Sequence, residues 1–430
     1  MAVTLAALLS SAAAAGCSDC AVVEVSNDEE LQSALASSCT SQITLKDGTY
    51  AGAVEVGPGV HLEGQSRDGV VLQGGLKVEQ GATGVTLQSL TLAASPGTAL
   101  LLDEGSETLV KDVLIDSPVL YGVFASAGAT LTLDHVEIDS PLGPGIWSTC
   151  GQESCCEPGA PRPSITILNT TITGAHLAGA SFVGSDVSID GLTISGTVPG
   201  PQGTSYSGQG GGGFTASSCA DIAQAKDLHI LDSARHGALF DASTGTLGDE
   251  AGQPITIEGS GAVGFWAQTP PKGDPTQPWI TLENAFLLDN KGVGLGASGG
   301  NDPLAERGMI ICKVLVTGVP QITLPTLKDG FPGSDSVGDG FFWRDAAAIT
   351  ELDITVSGAE RQAVLINGAV PQPPAGALAI TLGSGNASNT VLQQGVPAGQ
   401  ELTGVPALQT TPTEDLAGAQ NLALPAIVTP

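Results

Sequence analysis

Val85–Leu92 reads VTLQSLTL, Thr108–Ile115 reads TLVKDVLI, and Leu131–Ile138 reads LTLDHVEI. Leu90, Val113 and Val136 are equivalent and lie 23 residues apart. A fixed period in the twenties built from strand-like units marks a solenoid. In the first copy Val85 and Leu87 flank Thr86, and Leu90 and Leu92 flank Thr91. That period of two is a strand with one buried face.

A polar pair splits each unit. Its second residue runs Ser89, Asp112, His135, Asn169, Gly191, Asp227, Asn284, Lys313 and Asp353. Gly, Asn, Asp and His best tolerate positive φ, so a tight left-handed bend is expected there. Later copies follow the same plan at 165–172, 187–194, 225–230, 282–287 and 311–316, while ITELDITV from Ile349 fits badly at Glu351. Stacking such coils sets each strand beside its own copy, about 4.8 Å away and parallel. The fold class is therefore all-β, a parallel β-helix, and the crossover preference makes it right-handed.

A second ladder is marked by a glycine and four residues: Gly122, Gly145, Gly179, Gly213, Gly237, Gly264 and Gly340 begin its copies. The first and third residues after each glycine pair large with small, as Ala180/Phe182 and Phe214/Ala216 do, which suits a close-packed interior. The residue between points outward: Phe124, Trp147, Ser181, Thr215, Leu239, Trp266 and Phe342. Insertions at 149–163, 196–212, 268–278, 297–307 and 317–339 flank this ladder. Phe124, Trp147, Trp266 and Phe342 are thus candidates for stacking on sugar rings. The competing expectation is that the insertions fold over these rings and bury them.

Residues 1–16 form a short apolar run too short to span a bilayer, expected to be a signal peptide. Ala14-Ala15-Gly16-Cys17 resembles the bacterial lipobox, which makes Cys17 the expected lipidation site and a lipid anchor the expected membrane partner. A basic stretch before the apolar run is missing, since the first Lys or Arg is Lys46. Residues 17–40 hold a capping box, Ser26-Asn27-Asp28-Glu29, and a helix expected to reach Ala36. This helix, then ITLKDGTY, then VEVGPGVHLEGQSRDGVVLQGG from Val54, resembles the start of the pectin-lyase-like right-handed β-helix superfamily. The resemblance implies an N-terminal capping helix, a solenoid over 41–395 and an extended tail over 396–430. It leaves activity open, since that superfamily holds lyases, hydrolases, isomerases and adhesins.

The superfamily's catalytic motifs are largely missing. Arg235-His236-Gly237 echoes the Gly-His-Gly of polygalacturonase-like members without its first glycine. Leu133-Asp134-His135 resembles part of a pectate lyase motif, but His135 already has a place in a bend. Asp241, Asp345 and His236 remain as candidate catalytic residues, two of them carboxylates of the type that hydrolases use.

Fourteen basic residues against 44 acidic ones give a formal charge of -30. That excludes nucleic acid as a partner and disfavours polyanionic substrates without bound Ca²⁺. Asp116 and Asp139 should sit one above the other, but two acids fall short of a calcium site; no other cofactor is expected. Export makes disulfides expected. Cys20 and Cys39 bracket the helix, Cys150, Cys155, Cys156 and Cys219 allow two bridges of undetermined pairing, and Cys312 is left as the free thiol. The leading expectation is a monomeric, lipid-anchored surface protein that binds a polysaccharide or a surface protein without catalysis. The alternative is a polysaccharide lyase or glycoside hydrolase.

Overall fold

The structure, a computed structural model, describes residues 21–37, 40–93, 97–151, 155–157, 159–202, 207–271, 277–299, 307–323, 336–344, 347–405, 407–413 and 416. Residues 1–16, Cys17, Cys20, Cys39, Asp345 and most of the tail lie outside the described residues. Among the described residues no helix is long and apolar enough to cross a membrane.

The chain winds into a parallel β-helix. Among the described residues one sheet has 17 strands, a second has 14, and only the short pair Ile322–Thr323 and Ser336–Val337 is antiparallel. The repeat read from sequence is the register itself: Leu90 pairs with Val113, and Val113 with Val136. Their side chains, with Val85, Leu87, Val110, Leu131 and Leu133, are buried in one continuous core.

The bends are left-handed at Ser89, Asp112, His135, Asn169, Asp227, Asn284 and Lys313, with φ between 45° and 56°, and at Gly191. Asp353 departs from this expectation. Strand Ile349–Ala359 gains a residue near Thr350 and loses one at the bend, so Ile310 pairs with Glu351 and Val314 with Ile354. The two irregularities cancel, which explains the misfit at Glu351. A second row of left-handed residues closes the same strands: Ser117, Ser140, Gly174, Gly196, Asp232, Gly259, Asp289, Gly318 and Gly358.

The second sheet holds the glycine ladder, and Gly294 belongs to it. Down the inner columns Ala180, Phe214, Ala238 and Phe265 alternate against Phe182, Ala216, Phe240 and Ala267. Each phenylalanine therefore sits diagonal to the next, and four rings stack at centroid spacings of 5.4, 5.7 and 5.6 Å. Alternation fills the interior at constant volume per coil.

At the N-terminal end, helix Asp28–Leu35 buries Leu31 and Ala34 against the core. Its cap is one residue later than the sequence suggests. Asn27 accepts from the Glu30 amide at 2.9 Å, and the Glu30 carboxylate accepts from the amide and hydroxyl of Ser26. At the other end strand Leu408–Thr411 pairs with Val391–Gln394, so the sheet continues beyond the boundary expected at 395. Among the described residues two disulfides form: Cys150–Cys155 closes a short loop within the insertion after Trp147, and Cys156–Cys219 ties that insertion to the coil at Cys219. Cys312 is free and half-buried.

Candidate functional site

The outward aromatics form a register row, but they do not face solvent. Phe124 pairs with Trp147, and Leu239 with Trp266. Trp147 is 1% exposed and Trp266 and Phe342 are 0% exposed. The expectation of an open stacking platform is thus corrected: no indole face is free for a sugar. Trp147 and Phe124 pack with Tyr121 and Leu177 in one satellite cluster. Trp266 and Phe342 stack at 5.9 Å in another, under Val337 and Ile322 of the antiparallel pair that opens the 317–339 insertion. A loop that covers rings this large removes far more apolar area from water than an open groove would. Phe124, at 6%, keeps a sliver of edge.

That edge floors an open depression of about 380 Å³, lined by Gln80, Asp103, Glu104, Ser126, Ala127, Thr149 and Gly151. Gln80 donates to Glu104 at 3.3 Å. Lys77 stands nearby between Glu55 and Asp103, 3.0 Å from each.

The depression is the start of a longer feature. The fourth residue after each repeat glycine lies at the edge of the second sheet. Registered one above another there are Thr149, Val183, Ser217, Asp241, Gln268, Ser298, Arg344, Asn367 and Gln394. Asp103 and Ser126 extend the row by following the registered pair Leu102 and Ala125. Only Val183 interrupts a line of hydrogen-bonding side chains parallel to the solenoid axis. Asp241, Arg344 and Asn367 are half-buried, while Ser217, Gln268, Ser298 and Gln394 are buried. The row's signal lies in the sequence, four residues past each glycine from Gly145 to Gly340.

Asp241 is the candidate that this row retains. Burial raises its carboxyl above the ordinary range, against the lowering effect of hydrogen bonds from Thr269 and Gln268. Asp345 follows Arg344 in sequence and lies outside the described residues. His236 stands at the opposite end of the strand His236–Asp241, closed in by Gly212, with Nε2 3.2 Å from the Thr215 hydroxyl. Burial, then the charge of Arg235, lowers it to about 4. It is a buried neutral ring, which corrects its reading as a group that meets substrate. His135 sits exposed in its bend against Asp134.

Asp339, at 0% exposure, makes a two-pronged ion pair with Arg361, Nε to Oδ1 at 2.8 Å. Asp116 and Asp139 are registered neighbours, each accepting from the serine that follows it. Among the described residues no group of three or more His, Cys, Asp or Glu is placed to hold a metal ion.

No protein-family model matches the chain, and no curated protein matches it. Among solved structures it is similar to the surface protein and adhesin PfbA of Streptococcus pneumoniae, with 11% identity, TM-score 0.34, and 67% of this chain and 91% of that one covered. It is also similar to the catalytic domain of a GH87 alpha-1,3-glucanase, with 12% identity, TM-score 0.37, and coverage of 92% and 69%. A third is the periplasmic alginate epimerase AlgG, with 10% identity, TM-score 0.32, and coverage of 90% and 82%. The neighbours are parallel β-helix proteins of the pectin-lyase-like type, and the likeness concerns the fold alone.

Proposed function

We propose that this is an exported β-helix protein that acts on a neutral polysaccharide, with Asp241 as the proton-donating carboxylate of a glycoside-hydrolase-type site. The observation that carries this reading is the edge row. Amide, hydroxyl, carboxylate and guanidinium groups repeated coil by coil suit an extended polymer of like units better than a compact ligand. A formal charge of -30 works against polyuronates, so hydrolysis of a neutral glycan is favoured over lyase chemistry. The raised Asp241 carboxyl keeps its proton to higher pH than an exposed aspartate would, as a general acid requires. Hydrolysis needs a second carboxylate; Asp345 is the sequence candidate for it. In this reading the helix Asp28–Leu35 serves as the N-terminal cap, and Cys17 as the point of lipid attachment at the cell envelope.

A second reading, binding without chemistry, is favoured by the depression over Phe124. It offers an apolar floor ringed by hydroxyl, amide and carboxylate groups roughly four coils, or about 19 Å, from Asp241. Incubation of the purified protein with neutral glucans, xylans and polyuronates separates the two. New reducing ends from a neutral glycan, formed faster at acidic than at neutral pH and lost at least a hundredfold in Asp241→Asn with binding retained, are expected. Binding without any product supports the second reading; unsaturated products from a polyuronate overturn the first. Partition into detergent that is lost in Cys17→Ser tests the anchor.

A further inference from the structure

The two ends of the solenoid are built differently. At the N-terminal end, strand Ala21–Val25 carries Glu24 in an ion pair with Lys46, and the helix beside it begins with Asp28, Glu29 and Glu30. Charges of this kind protect a strand edge from pairing with another molecule. The C-terminal end has almost none. From Gln362 to Pro430, Glu401, Glu414 and Asp415 are the only Asp, Glu, Lys or Arg residues in a chain that carries -30 overall.

That neutral end presents an unpaired edge. Among the described residues strand Leu378–Leu382 pairs with Ile349–Ala359 on one side and with no strand on the other. Leu352 N–H donates to Ala377 O at 2.8 Å, and Gly383 N–H donates to Val356 O at 2.7 Å. The alternation of a parallel ladder then directs Ala379 and Thr381 to the neighbouring strand. The amides and carbonyls of Leu378, Ile380 and Leu382 face away from it. The end is also apolar. Leu378, Leu382, Val405 and Leu408 pack on the core but stay partly open among the described residues.

We propose that this end is an interaction surface for a second copy of the chain. The copies join end to end about a two-fold axis, with strand Leu378–Leu382 pairing antiparallel to its own equivalent. Charge selects this occupant. The acidic remainder of one copy repels the acidic remainder of another, so only the uncharged ends can approach. A two-fold axis makes the patch self-complementary and closes the assembly at two copies, leaving the charged N-terminal ends outermost. This proposal stands in place of the expectation of a monomer.

Sedimentation velocity of the purified protein from about 1 to 200 µM tests this. A dimer that strengthens with added salt is expected, because salt screens the repulsion of the distant acidic surfaces. Ala379 and Thr381 are exposed and point outward, so Ala379→Lys with Thr381→Lys should leave the fold intact. Unchanged circular dichroism and melting would confirm that, while dimer association weakens at least tenfold. A wild-type monomer at every concentration overturns the proposal. So does a dimer that persists in the double variant, since association then uses another face. A monomer whose Leu378, Ile380 and Leu382 amides already resist hydrogen exchange also overturns it, since the edge is then covered within one chain.

Discussion

Gly179 lies so close to Gly213 that a Cβ on Gly179 would stand 2.7 Å from the Gly213 carbonyl oxygen and press on Ile194 Cγ2. The relationship repeats from Gly122 through Gly145, Gly179, Gly213, Gly237, Gly264 and Gly294 to Gly340, at 2.5 to 2.8 Å from the next coil's carbonyl. These glycines are steric requirements: the second sheet turns there too near both the next coil and the opposite sheet for any side chain.

Gly179→Ala should therefore cost roughly 1–3 kcal/mol, the usual range for overpacking a tight interior. Gly97, whose added Cβ would meet nothing within 4 Å, is the control, and its alanine variant should fall within about 0.5 kcal/mol of wild type. Chemical denaturation of both reads the difference. Equal losses at the two positions would remove the steric account of the ladder.

Much of this was legible before the coordinates. The 23-residue period, the left-handed bends and the alternating Ala180/Phe182 and Phe214/Ala216 pairs are local patterns, and local patterns survive in sequence. The fate of Trp147 and Trp266 was not legible. An outward position in a strand looks the same whether water or an insertion lies above it, and the Ile322–Thr323 and Ser336–Val337 pair carries no periodic signal. The edge row with Asp241 was visible in register but not in chemistry, because the rise in its carboxyl comes from burial by loops.

Burial of the two indoles yields a direct expectation. Trp147→Ala and Trp266→Ala should each cost about 3–5 kcal/mol, since each empties a large, fully covered site. Thermal denaturation of the single variants measures this. Near-native stability would show that the rings are not load carriers of the outer clusters and would restore an open binding face.

Cys312 should be nearly inert. Burial, then a hydrogen bond to Glu351 and the charges of Glu351, Glu283 and Asp353, push its thiol up to about 12. Against an ordinary thiol value of 9.0 the reactive thiolate is roughly a thousandfold scarcer near pH 8. Iodoacetamide should label Cys312 in the folded protein roughly a thousand times more slowly than in the unfolded chain, as peptide mass spectrometry can follow. Comparable rates in the two states would show that the thiol is open to solvent and unperturbed.

His236 ties the stability of the fold to pH. Its ring is buried against Gly212 and Thr215, and burial with the nearby Arg235 charge holds it to about 4, down from 6.5. The folded protein thus keeps His236 neutral where the unfolded chain already binds a proton. Stability is full above pH 6.5, falls as pH drops toward 4, and stops falling on this account once the folded form takes up the proton too. A shift of that size corresponds to about 3 kcal/mol across the window. Carboxylates also titrate there, so the measurement is a difference. Urea unfolding of wild type and His236→Gln between pH 7.5 and 4 should give a profile flatter by about 3 kcal/mol for the variant, whatever its offset at neutral pH. Parallel profiles would mean that the ring already gains its proton in the folded state, and the buried neutral imidazole would have to be given up.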